Sequence, residues 1–227
     1  MKLTDFFNEC QKIDLRLKNI HQTFSYDNDD NRKRVFGVLH SLITHYEMML
    51  KIMCARDAHH LNPNDFRNVF GIGYDDQSQW EAFQVTSKNS YITLSHFVIE
   101  NFFKTLLVEL DTTKNPPRGF YAITDTLLKK ISVSDKARKL EILNAMAMIR
   151  NSMHNNSIHV PIPPAPDSQT ITIGNIRLQF DKGQPTYMLE SEMIVLLNTI
   201  IDILEEIVNS AEVQQLPPVP KLFVPKF

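Results

Sequence analysis

Arg150 and His154 are the two residues whose types and spacing best suit chemistry. Four positions apart on a helix, two side chains stand one above the other on the same face. A guanidinium stays charged at physiological pH and grips a phosphate through parallel N–H donors. An imidazole titrates near neutrality and can take or give a proton. The pair therefore suits cleavage of an RNA phosphodiester, with His154 moving the proton and Arg150 steadying the charged phosphorane. Asn151, Asn155 and Asn156 add hydrogen-bonding groups at the same point of the chain. The spacing by itself is not specific, because Arg56 and His60 repeat it.

Other chemistries find less support. A metal centre inside a helical bundle wants Glu-x-x-His pairs on facing helices, and the sequence has neither that spacing nor His-x-x-x-His. Gly71 and Gly73 lack the third glycine, the lysine and the preceding strand of a phosphate loop. No nucleophile-elbow motif frames a serine. Neither a metal nor a cofactor is expected. The formal net charge of −2 gives no global basic signature, so a nucleic-acid contact has to be local. Two basic tracts offer one: Arg32, Lys33 and Arg34, and the run Lys129, Lys130, Lys136, Arg138 and Lys139. Such runs are more often the solvated face of a helix.

The elements that position the pair are legible in the apolar spacing. Within Ile142–Asn156 (I-L-N-A-M-A-M-I-R-N-S-M-H-N-N), Ile142, Met146, Ile149 and Met153 form one buried helical stripe. Leu143 and Ala147 begin a second stripe, which Arg150 and His154 continue. A helix apolar over most of its circumference sits between other helices, so the two polar groups fall at the edge of an interior or an interface. Ser134 is the N-cap candidate for this helix. Further helices are expected over 3–24, 31–60, 79–111, 121–131 and 189–213, with a short helical turn and loop over 64–76. V-P-I-P-P-A-P at 160–166 should be extended. The run T-I-T-I-G-N-I-R-L-Q-F at 170–180 alternates around Gly174-Asn175 as a β-hairpin does. The expected fold is therefore all-α: a helical bundle with a small β-hairpin inserted before the last helix, all within one domain. The linker and hairpin occupy about 160–188, and a Pro-rich tail occupies 215–227. That tail is apolar enough to pack in extended form on the domain or on a partner.

The phrase M-I-R-N-S-M-H-N-N resembles the signature of the HEPN superfamily, all-helical proteins marked by an Arg, a polar residue and a following His. The resemblance is specific over about 10 residues, with looser support from the helices between 91 and 212. It implies a metal-independent endoribonuclease acting as a homodimer, with paired motifs lining a cleft, often in a toxin or defence role. Residue by residue, it assigns Arg150 to phosphate stabilisation, Asn151 to the polar position and His154 to catalysis. Glu100, in I-E-N-F-F-K on an earlier helix, fits a supporting acidic position, and Asn155 is a second supporting candidate. The family leaves four to six residues between Arg and His, whereas three stand here and Asn155 occupies the four-residue position. Asn cannot exchange a proton. Either His154 acts from the preceding position, or the fold serves as a silent dimerisation or protein-interaction module. RNA, a second copy and an antitoxin or other protein are the partners implied, and no membrane.

Cys10 and Cys54 read as free thiols of a reducing compartment. The first ten residues lack a signal-peptide apolar core, and no uncharged run reaches the ~18 residues of a membrane span. A cytoplasmic location is expected.

Overall fold

Phe6, Cys10, Ile13, Leu17 and Ile20 recur at helical spacing, and they are the buried residues of α1 (Leu3–Thr23). A polar turn follows. Then α2 (Asn31–Asp57) lays Val35, Phe36, Leu39, Ile43, Tyr46 and Leu50 against α1. The remaining elements are α3 (Gln77–Leu110), α4 (Phe120–Lys130), α5 (Lys136–His154), β1 (Ser168–Ile173), β2 (Ile176–Asp181), α6 (Glu190–Asn209) and α7 (Ala211–Gln214). The computed structural model describes residues 1–57, 67–68, 71, 77–111, 116–155, 157–161, 166–186 and 188–220. The result is a helical bundle with a two-stranded antiparallel hairpin before its last helices.

The core runs through all the long helices. α3 packs on α2, α4 and α5, while α6 closes the bundle against α1 and α5. The hairpin pairs Ser168 with Asp181 through to Ile173 with Ile176, turning at Gly174-Asn175. Gly174 has φ 55, a left-handed value that glycine adopts without the Cβ penalty. Ile171, Ile173, Leu178 and Phe180 face inward, and β1 rests on α5 and α6.

Two local expectations are corrected. The N-cap of α5 is Asp135, which accepts from the Arg138 amide, and not Ser134. Ser134 is otherwise engaged: its hydroxyl and carbonyl both accept from Lys139 Nζ. The expected helix 189–213 is broken at Ser210, whose extended backbone (φ −64, ψ 146) separates α6 from α7. There the Ser210 hydroxyl donates to the Ile207 carbonyl at 2.7 Å, a local bond that competes with helix continuation. Helix α2 is described as far as Asp57. Its expected extension to residue 60, most of the 64–76 turn, residues 162–165 of the linker and residues 221–227 lie outside the described residues.

One buried ion pair ties the start of α2 to the last described segment. Arg32 and Asp30 meet at 2.5 Å, both almost fully buried. The guanidinium also donates to the carbonyls of Val213 and Leu216, and Asp30 accepts from the Val219 amide. The segment entering the tail therefore packs on the bundle as far as Val219, which is buried.

Candidate functional site

The second stripe of α5 climbs out of the interior. Leu143 and Ala147 are buried, Arg150 is half-buried, and His154 is exposed in the last helical turn. Helix α3 supplies the wall beside it, and Thr93 Oγ1 lies 3.9 Å from Met153 Sδ. Four residues along α3, the Phe97 ring lies under the Arg150 guanidinium, with 4.9 Å between Cζ and ring centroid. Stacking of this kind holds an Arg in place while leaving its outer N–H groups available. One of those groups, Nη1, donates to Asn151 Oδ1 at 2.8 Å. Among the described residues no carboxylate forms an ion pair with Arg150.

Of the residues singled out in the sequence, Arg150, Asn151 and His154 share the end of α5, as their spacing requires. Asn155 forms the C-cap, and its side chain donates to the Asn151 carbonyl at 3.0 Å. Glu100 sits one helical turn beyond Phe97 on α3, but its carboxylate faces Lys104 at 2.6 Å. Asn156 and His60 lie outside the described residues, and Arg56 lies over the Trp80 ring at 4.9 Å.

The chain matches no protein-family model, no curated protein and no solved structure.

The basic tracts are mostly engaged. Arg32 belongs to the buried clamp. Lys129 pairs with Asp125, Lys130 with Asp111, Arg138 with Glu141 and Lys139 with Glu206. No group of three or more His, Cys, Asp or Glu able to hold a metal occurs among the described residues. No described helix is long and apolar enough to cross a membrane.

Sequence reasoning missed His96. It lies on α3 four residues before Glu100 and is 1% exposed, with its ring 4.5 Å from that of Phe120. Neither ring nitrogen has a hydrogen-bond partner, and Nδ1 stands 3.8 Å from Glu100 Oε2. Burial pulls its pKa down to about 4; Glu100 opposes that shift, while Arg150 and Lys104 add to it. The ring is thus neutral at pH 7. Arg150 Nε is likewise buried without a partner. An unsatisfied buried donor or acceptor costs about 1–3 kcal/mol. By contrast, a partly exposed pair such as Lys104–Glu100 contributes on the order of 1 kcal/mol. The His-x-x-x-Glu spacing from 96 to 100 was the available signal, since it puts an imidazole and a carboxylate on one face of a helix.

Proposed function

We propose that this chain is a HEPN-like endoribonuclease that cuts RNA without a metal, through Arg150 and His154. What supports the reading is one arrangement. A guanidinium without a carboxylate partner, held over the Phe97 ring, lies one turn below an exposed imidazole. In the reaction, His154 takes the proton of a ribose 2′-hydroxyl, and the freed oxygen attacks the adjacent phosphorus. Arg150 holds the phosphorane's charge in its fork. The leaving 5′-oxygen is protonated by an imidazolium, and a cyclic phosphate remains. Asn151 keeps Arg150 oriented through the bond to Nη1. In this reading two copies face one another across a cleft at this end of α5, in the cytoplasm, in a toxin or defence role with a protein antagonist.

A second reading has its own observation. Leu94 and Phe97 on α3 are 46% and 40% exposed beside Arg150. An apolar surface of that kind favours a protein contact, which a catalytically silent dimerisation module needs as well.

The deciding experiment is cleavage of end-labelled structured RNA in excess EDTA by the wild type, Arg150→Ala and His154→Ala. The ribonuclease reading expects cutting that survives EDTA, ends in a cyclic phosphate and is lost in both variants. No cutting by the wild type across several RNAs, or equal cutting by the variants, moves the assignment to the silent module.

A further inference from the structure

We propose that residues 221–227 (K-L-F-V-P-K-F) dock in cis as a strap, in the groove between α1 and the end of α6, closing the seam between the first and last helices. The inference is independent of the chemistry at Arg150. A groove of about 920 Å³ runs along α1 from Lys12 to Thr23 and on over the turn to Tyr26, with Glu205 and Gln214 on its far wall. Leu15 is 57% exposed in it. At its head the Phe24 and Tyr26 rings stack, with 5.8 Å between centroids. The polar groups of the walls include the side-chain amides of Asn19, Asn209 and Gln214. An extended Pro-rich strand has no internal hydrogen bonds, so its backbone groups suit such partners. Proline at 217, 218, 220 and 225 keeps this stretch out of a helix, and Leu222, Phe223, Val224 and Phe227 supply apolar side chains.

What commits the groove to this segment is the place where the chain leaves the described residues. Arg32 lies over the Tyr26 ring at 4.0 Å and donates to the carbonyls of Val213, Leu216 and Pro217. Gln214, in that same stretch, is part of the groove wall. Val219 is then pinned to Asp30 and Asn31, four and five positions after Tyr26. The chain therefore departs beside the aromatic head of the groove. From Thr23 back to Lys12, α1 covers about 17 Å at ~1.5 Å per residue. Seven extended residues span about 22 Å at ~3.1 Å each, so the segment reaches the far end. Charge agrees as well. Lys12 is paired with Glu9, and Arg16 is held between Asp202 at 2.5 Å and Glu205 at 2.7 Å. Those five groups leave one net negative charge, and the segment brings Lys221 and Lys226.

The strap is tested in the full chain with p-benzoylphenylalanine in place of Phe223, the links formed on irradiation being mapped by mass spectrometry. Links within one chain to residues 12–26 or 205–214 are expected. Links elsewhere, no links, or links found only between two chains overturn the strap, the last by giving the groove to a second copy. A second arm follows removal of residues 222–227 by endoproteinase Lys-C, which cuts after lysine only. Leu15→Arg takes an apolar contact from the groove and repels Lys221 and Lys226. It should release the segment about fivefold faster than wild type, the scale of one lost apolar contact. Gln11→Arg adds the same charge at an exposed position of α1 outside the groove, and should release it at the wild-type rate. Both positions are exposed, so the fold survives either change. Equal rates in wild type and Leu15→Arg, or the same acceleration in Gln11→Arg, also overturn the strap.

Discussion

His96 is a buried imidazole whose pH behaviour is set by its burial. Its pKa falls from the ordinary 6.5 to about 4 on burial. A base with a depressed folded pKa contributes stability that is complete above the unfolded value and lost as pH falls. The window here runs from about 6.5 down to 4, with about 3 kcal/mol at stake if the shift is fully realised. Glu47, raised to about 7 by burial, gains stability as pH falls through the same window, so the His96 part is read as a difference: in urea unfolding between pH 7 and 4, His96→Phe, which keeps a ring against Phe120, should lose less stability than wild type. An unchanged slope in His96→Phe means that another group carries the acid sensitivity. The two α5 residues behave differently. His154 is exposed, so His154→Ala should change stability by no more than about 0.5 kcal/mol. Arg150→Ala loses its stacking on Phe97 and should cost about 1 kcal/mol. Any larger effect on cleavage than on folding belongs to chemistry.

At the scale of elements, the start of α5 matters because this helix carries the whole candidate site. Asp135 caps it while sitting at φ 39, in the left-handed region. Asp135→Ala loses the cap and keeps the strained backbone, and should cost about 1–2 kcal/mol. Ser134→Ala should cost less, since its hydroxyl bonds only the Lys139 and Glu206 side chains and relieves no backbone donor of the helix start. Thermal midpoints of the two variants check the order, and a larger loss for Ser134→Ala contradicts the cap assignment. The hairpin is the other sensitive element. Phe180 is fully buried beneath it, so Phe180→Ala should cost about 3–5 kcal/mol. Much of this level was legible in the sequence. Apolar spacing places α1, α3 and α4 within two residues of where they lie, because their buried stripes are continuous and their ends fall at polar or Pro-rich breaks. The Gly174-Asn175 turn was legible too, since alternation on both sides leaves one register. The break at Ser210 was not: apolar residues continue through Ile207, Val208 and Val213, and only a hydroxyl-to-carbonyl bond interrupts them. His96 escaped for a similar reason. Its burial is decided by Phe120, on another helix, and no local pattern carries that contact.

At the scale of the molecule, the Asp30–Arg32 pair decides how the first helices and the last segment hold together. The sequence offered Arg32 as one of three adjacent basic residues, and nothing local told it apart from Lys33 or Arg34. Its burial comes from carbonyls more than 180 residues away. Removing one member strands the other in the interior. Arg32→Ala or Asp30→Asn should therefore each cost about 3–5 kcal/mol, read as a fall in the urea midpoint at constant slope. The double variant Asp30→Asn/Arg32→Met should recover part of that loss, and full additivity of the two single effects would argue against direct coupling.

That clamp also sets a timetable for synthesis. Arg32 and Val213 are 181 residues apart, and translation runs at about 5–20 residues per second, so the guanidinium waits roughly 9–36 s for its carbonyl partners. Through that interval the α1–α2 pair exists with its apolar face open and α6 not yet made. The nascent chain is thus a natural client for a holdase chaperone, and rare codons late in the message would lengthen its exposure.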